Sequence, residues 1–234
     1  ALGTNMSLNE NGSLIAIGAK IGINTDYYGS VPQTGAQLLR LEGNDWIQIG
    51  GDITNGLEGA PGAPDEFFLC NGLDPRSFAE ISRSGTLLVV AEADSGRGCS
   101  GLRVFQYRDG NLSQLGSSFK NAISNRSPQI SVSGDGSTFA YADIYTDLYA
   151  DDGSQIIPEY NLRLLQYDTE DWRLAAPEMP FRDLLSMALS ENGEEVLVSY
   201  WDESKDFFGN GCNPYRTVRY KVSIDEWTEL WSAC

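Results

Sequence analysis

Histidine is absent from the 234 residues, and this absence excludes many familiar enzyme sites. The chain cannot form a Ser-His-Asp triad, a Cys-His dyad or the usual histidine-bearing zinc and iron sites. Any catalysis carried by these residues must therefore use carboxylates, hydroxyls, lysine or arginine.

Basic residues and long apolar runs are also scarce. Lys and Arg together number 16 against 33 Asp and Glu, which gives a formal net charge of −17. A surface this acidic repels phosphate groups, so nucleic acid and anionic membranes are poor partners. The longest apolar runs hold about half a dozen residues, well short of the roughly 20 that a membrane-spanning helix needs.

Cysteine is rare, and no two cysteines form a CxxC pair, which argues against a thiolate metal cluster. An even number of widely spaced cysteines suits two disulfides in an oxidising compartment. Four N-x-S/T sequons favour the same interpretation. We therefore expect a secreted or cell-surface glycoprotein. Its disulfides would be formed by Cys70, Cys99, Cys212 and Cys234, and its glycosylation sites would be Asn5, Asn11, Asn111 and Asn125.

What the sequence does contain is a repeat. A polar turn that ends in glycine separates two apolar stretches four times, with the glycine at Gly12, Gly85, Gly136 and Gly193. A second apolar stretch and another short turn follow each time, and Trp46, Trp172 or Trp227 opens the last stretch in three of the copies. Alternating apolar residues favour strands, and we extend this to residues 184–189, although their local sequence could form a short helix.

A four-stranded antiparallel unit of roughly 50 residues, repeated in tandem, is typical of a β-propeller blade. The sequence therefore predicts an all-β fold, a single propeller of four blades with four strands each. We place the blades at about 1–55, 76–120, 128–180 and 184–234, with an insertion loop at 56–75. We expect the three repeat-equivalent tryptophans to pack between blades.

The repeat resembles one found in secreted or surface proteins of diatoms and other marine algae, usually described as WD40-like or kelch-like. The residues that carry this resemblance are Ser7 to Ala19, Trp46 to Ile53, Asp65 with Phe67, and Arg103 to Tyr107. The resemblance covers nearly the full length and implies a propeller fold. It is weaker in the last two copies, which lack the glycine after the tryptophan segment.

Long loops between the second and third strands of each blade would share one face of such a propeller, and binding sites are often built on loops of this kind. On this face we pair Cys70 with Cys99 and Cys212 with Cys234, the choice we favour among three pairings. Aromatic residues of the same loops are candidates for a binding surface. They are Tyr27, Tyr28, Tyr145, Tyr149, Phe207 and Phe208.

Three aspartates fall where the second strand of a blade ends, at Asp94, Asp143 and Asp202. Carboxylates that converge at a channel mouth could hold Ca²⁺, although each could equally cap a loop or face solvent. We expect a non-catalytic secreted module with a structural or a binding role, whose partner would be a protein or a glycan and which could belong to a larger extracellular assembly. The alternative is a carbohydrate-active enzyme or lectin that uses these aspartates and Glu92.

Overall fold

The computed structural model describes residues 3–24, 31–54, 76–93, 100–120, 129–144, 159–202, 215–224 and 226–233. These residues form eighteen β-strands, and none of them lies in a helix. No helix of the described part is therefore long and apolar enough to cross a membrane. The chain divides into two compact units, residues 1–128 and residues 129–234, which are described separately.

The first unit contains two antiparallel sheets built in chain order. Sheet one consists of β1 (Gly3–Leu8), β2 (Leu14–Asn24), β3 (Val31–Glu42) and β4 (Asp45–Thr54). Sheet two consists of β5 (Arg76–Ile81), β6 (Leu87–Ala93), β7 (Ser100–Arg108) and β8 (Asn111–Gln114), with β9 (Phe119–Lys120) also paired to β7.

The second unit repeats this arrangement. Sheet three consists of β10 (Gln129–Val132), β11 (Thr138–Ile144), β12 (Glu159–Tyr167) and β13 (Trp172–Leu174), with β14 (Met179–Arg182) also paired to β12. Sheet four consists of β15 (Leu184–Leu189), β16 (Glu195–Trp201), β17 (Tyr215–Val222) and β18 (Trp227–Ala233). The prediction of a strand over residues 184–189 is confirmed, and that strand is β15.

The turn between the first two strands of each sheet follows one pattern. Its glycine has a positive φ, between 68° and 77°, which glycine adopts without steric cost. Three residues earlier, a side-chain oxygen accepts a hydrogen bond from the backbone N–H that opens the next strand. The accepting residues are Asn9, Ser82, Ser133 and Ser190. An asparagine or serine, with a glycine three positions later, therefore fixes the start of the second strand in all four sheets.

Each unit buries an apolar core between its two sheets. In the first unit, Leu14, Ala16 and Leu38 of sheet one meet Leu88 and Val90 of sheet two. In the second unit, the corresponding core contains Leu162 and Leu164 of sheet three with Val196 and Val198 of sheet four. Burial of this apolar surface is the main stabilising contribution to each pair of sheets.

Polar side chains of the first strand connect the two sheets within each unit. The Asn5 amide accepts a hydrogen bond from the Ala79 N–H at 2.8 Å and donates to the Ala79 carbonyl at 3.0 Å. The Ser7 hydroxyl accepts one from the Ile81 N–H at 3.3 Å. In the second unit the Ser131 hydroxyl accepts one from the Leu189 N–H at 3.0 Å. These bonds satisfy backbone donors of β5 and β15, each of which pairs with a strand on one side only among the described residues.

The three repeat-equivalent tryptophans do not share one environment. Trp172 is buried, with its ring 4.8 Å from that of Phe139 in the same sheet. Trp227 is half-buried and donates a hydrogen bond from Nε1 to the Pro177 carbonyl at 2.6 Å. Trp46 is exposed, so the prediction that all three pack in the interior is wrong for that residue.

Candidate functional site

A buried carboxylic acid lies near the end of β6. The residues before it, Leu87 to Ala91, are buried on both faces of the strand, as expected of a central strand between packed layers. Glu92 continues this strand and retains only 8% of its surface. Acidic side chains are almost never this buried unless they are paired, so Glu92 requires a partner.

Arg103 of β7 is that partner. Its Nη2 atom lies 3.2 Å from Oε1 of Glu92, a distance that makes both an ion pair and a hydrogen bond. In the register, Glu92 faces Gly101 and Arg103 faces Val90, so the two charged side chains lie diagonally on one face. Gly101 has no side chain, which leaves room for the guanidinium group to reach the carboxylate. The guanidinium carbon of Arg103 also lies 5.6 Å from the centre of the Phe105 ring.

Burial decides the ionisation of this pair. Desolvation raises the pKa of Glu92 from its ordinary 4.5 to about 7, and the opposing attraction of Arg103 is the smaller effect. A carboxyl group that ionises near neutral pH can accept or release a proton under physiological conditions. The neighbouring guanidinium group is a fixed positive charge, suited to stabilise a developing oxyanion.

The second unit contains the repeat-equivalent of this pair. Asp143 faces Asn161, and Arg163 faces Tyr141, at the same diagonal offset as Glu92 and Arg103. Arg163 donates a hydrogen bond to the Tyr141 hydroxyl at 3.1 Å and forms an ion pair with Glu178 at 3.0 Å. The Asp143 side chain is outside the described structure. The register therefore groups Asp143 with Glu92, whereas the sequence-based grouping placed it with Asp94 and Asp202.

Asp202 lies just after β16, where it forms an ion pair with Arg216 of β17 at 3.7 Å. The same guanidinium group contacts Glu229 at 2.7 Å and Ser232 at 3.0 Å. Arg216 thus has two acidic partners, and the Asp202 carboxylate is already paired with it.

Tyr220 of β17 has a perturbed hydroxyl group. Burial, together with nearby Tyr200, raises the pKa of Tyr220 well above its usual range.

No metal centre is present in the part of the chain that the structure describes: no three Cys, Asp or Glu side chains are grouped there closely enough to hold an ion. Asp94 lies outside the described residues, so the predicted Ca²⁺ site at Asp94, Asp143 and Asp202 stays a prediction. Asn125 and the four cysteines also lie outside the described residues. The same is true of the predicted aromatic binding surface, which consists of Tyr27, Tyr28, Tyr145, Tyr149, Phe207 and Phe208.

Three predicted glycosylation sites fall on described residues. Asn11 is exposed in the turn between β1 and β2, and Asn111 is exposed at the start of β8. Asn5 is half-buried, and its amide forms the two hydrogen bonds to Ala79 described above. Glycosylation at these positions remains a prediction.

Solved structures share this architecture at very low sequence identity. A periplasmic gluconolactonase from Pseudomonas aeruginosa matches with a TM-score of 0.52 and 12% identity over 97% of this chain and 56% of that one. A putative 6-phosphogluconolactonase from Bacteroides uniformis matches with a TM-score of 0.51 and 12% identity, over 97% and 55%. The β-propeller domain of the Trilobed protease from Pyrococcus furiosus matches with a TM-score of 0.51 and 11% identity, over 97% and 56%.

These likenesses define the class of protein. The chain is an all-β protein of the β-propeller fold, and its four antiparallel sheets are the blades, as the repeat predicted. It spans a little over half the length of these solved structures. No family model matches the chain. No curated protein matches it either.

The prediction of a non-catalytic module is wrong. It rested on the absence of histidine and on the divergence of the repeat, but the solved propellers with this fold include enzymes named as lactonases. Neither feature excludes catalysis, because a buried carboxyl group beside an arginine provides acid–base chemistry without histidine. Sequence reasoning could have weighted Glu92 more strongly: it follows its turn glycine by seven residues, as Asp143 does.

Proposed function

We propose that the chain is a hydrolytic propeller enzyme that opens a sugar lactone, with Glu92 as its general base. The observation that carries this proposal is the buried pair of Glu92 and Arg103, with the pKa of Glu92 near 7. The substrate class is suggested by the two solved propellers named for gluconolactone and 6-phosphogluconolactone hydrolysis.

The reaction requires only these two side chains and water. The ionised Glu92 accepts a proton from a water molecule, whose oxygen attacks the lactone carbonyl carbon. Arg103 stabilises the negative charge that develops on the carbonyl oxygen. The ring C–O bond then breaks, the proton passes from Glu92 to the leaving oxygen, and an open-chain hydroxy acid is released. Atoms and charge balance without any cofactor.

Peptide hydrolysis is the less favoured class, although one of the similar propellers belongs to a protease. A serine protease requires a histidine as general base in its usual form, and these 234 residues supply none. Lactones are more reactive than peptides, so a single carboxylate suffices as a base. This comparison favours the lactone over the amide as substrate.

The test is hydrolysis of glucono-1,5-lactone and of its 6-phosphate. The rate is measured from the acid released, with a pH indicator in weak buffer, and the uncatalysed rate is subtracted. We expect turnover by the wild-type protein and a loss of at least about a hundredfold in Glu92→Gln. The matched control is Glu10→Gln, because Glu10 is also paired with an arginine, Arg83 at 2.9 Å, but is exposed. Absence of turnover, or equal turnover by both variants, would contradict the proposal.

We also propose an extracellular location, two disulfides and a Ca²⁺ site; these proposals rest on the sequence alone. The four cysteines and four sequons support the first two. Peptide mapping of the unreduced secreted protein would identify the predicted Cys70–Cys99 and Cys212–Cys234 bridges, and any other pairing would refute them. Calorimetric titration with Ca²⁺ tests the ion site. The likeness to algal WD40-like or kelch-like repeats remains a prediction.

A further inference from the structure

Sheet one has two faces, and only one of them packs against sheet two. The opposite face, here called the outward face of sheet one, is a continuous apolar surface formed by Met6, Leu8, Ile15, Ile17, Leu39 and Leu41. Met6 is 72% exposed and Leu8 is 52% exposed. Contiguous apolar surface of this kind on a folded protein marks an interaction site.

The repeat indicates what kind of partner this face fits. The shared turn pattern aligns Leu8 with Ile81, Ile15 with Leu88 and Ile17 with Val90. The sheet-two residues at these positions are buried, and they pack against sheet one. The outward face of sheet one therefore presents, position by position, the residue types that a blade uses to pack against a preceding blade.

Sheet four presents a face that could serve as that preceding blade. Its outward face contains one cross-strand row, Ala188–Leu197–Arg219–Trp231, in which every residue is exposed. Leu197 is 41% exposed and Trp231 is 54% exposed. A recess of about 230 Å³ opens on this face, lined by Ala188, Leu189, Ser190, Glu195, Leu197 and Arg219. Such a recess can accept an apolar side chain of the size of Met6 or Leu8.

The charges of the two faces are complementary. The outward face of sheet one contains Asp52, held by hydrogen bonds from Gln37 at 2.7 Å and Gln48 at 2.9 Å. The outward face of sheet four contains Arg219 and Lys221. Arg219 forms an ion pair with Glu195 of the same face, so Lys221 is the cation that remains to face Asp52. Opposite charges at the margin of an apolar contact fix the register of two packed surfaces.

We propose that this protein self-associates, with the outward face of sheet one in one copy packed against the outward face of sheet four in a second copy. The contact is heterologous, so each copy of a dimer contributes both faces. One four-stranded face, with strands about 4.8 Å apart, is too small for a stable interface alone, but two such contacts approach the roughly 1,200–2,000 Å² of a specific complex.

The test is sedimentation or light scattering of the full chain over a hundredfold range of concentration. We expect a dimer that dissociates on dilution. Leu8→Glu and Leu197→Glu each place a charge on one of the two faces and should weaken association at least tenfold. The matched control is Ile224→Glu, because Ile224 is 79% exposed and belongs to neither face. All three positions are exposed, so the variants should fold, which circular dichroism checks.

A mixing experiment distinguishes the heterologous contact from the alternatives. An equimolar mixture of Leu8→Glu and Leu197→Glu retains one intact contact, between sheet four of the first variant and sheet one of the second. Because one contact alone is too small for a stable dimer, we expect the mixture to associate more strongly than either variant alone and more weakly than the wild type. A monomeric wild type over the whole concentration range would overturn the proposal. A Leu197→Glu variant that dimerises as strongly as the wild type, which indicates contact between two sheet-one faces, would also overturn it. So would a mixture that associates no more strongly than either variant alone.

Discussion

Nη2 of Arg103 lies 3.2 Å from Oε1 of Glu92, and both side chains are almost removed from water. The two residues belong to adjacent strands of sheet two and lie on the face that packs against sheet one. A solvent-exposed ion pair contributes little to the free energy of unfolding. In a buried pair, each charge offsets the energy lost when the other is removed from water. This dependence makes the pair testable by its effect on stability as well as on activity.

Stability should depend on pH through Glu92. Its pKa is about 7 in the folded chain and near 4.5 when unfolded, so the folded state binds the extra proton between these values. The free energy of unfolding therefore falls as pH rises from about 4.5 to about 8, by about 3 kcal/mol from this group. Glu92→Gln removes the contribution, because glutamine resembles the protonated acid. Urea titrations at several pH values should show the variant gaining stability over the wild type as pH rises.

Loss of the arginine should be costly where Glu92 is ionised. Arg103→Met removes the guanidinium group that pairs with the buried carboxylate, and we expect a loss of about 3 kcal/mol in the free energy of unfolding at pH 8. At pH 5 the carboxyl group is protonated and the loss should be smaller. The double variant Glu92→Gln/Arg103→Met should recover part of the stability at pH 8. A cost that is equal at both pH values would show that packing, and not charge, determines it.

Gly18 permits the two sheets of the first unit to approach. A Cβ atom at this position would collide with the Ser77 carbonyl and the Asn5 amide. We expect Gly18→Ala to lower the free energy of unfolding by about 2 kcal/mol, since overpacking forces the sheets apart. The matched control is Gly51→Ala in β4, where a Cβ atom would meet nothing within 4 Å. Thermal unfolding measures the stability of the two variants. An equal loss of stability in both would contradict this account.

The strand order was predictable from the sequence because one local signal recurs. The polar residue of each turn and the glycine three positions later fix the start of the second strand in every sheet, as at Asn9 and Gly12. The site was less predictable. Burial of Glu92 depends on the packing of sheet one against sheet two, which no local pattern contains. The exposure of Trp46 was missed for the same reason. Trp172 at the equivalent repeat position is buried beside the Phe139 ring, and the repeat alone does not show whether a tryptophan has such a neighbour.

The central claim is that Glu92 ionises near neutral pH, and a carboxyl-carbon NMR titration of ¹³C-glutamate-labelled protein tests it most directly. Comparison with Glu92→Gln assigns the resonance. The account predicts a midpoint near 7 for Glu92, as burial against sheet one and incomplete compensation by Arg103 require. A midpoint near 4.5 would contradict it, because the carboxylate would then be permanently charged at neutral pH and could not serve as the proposed base.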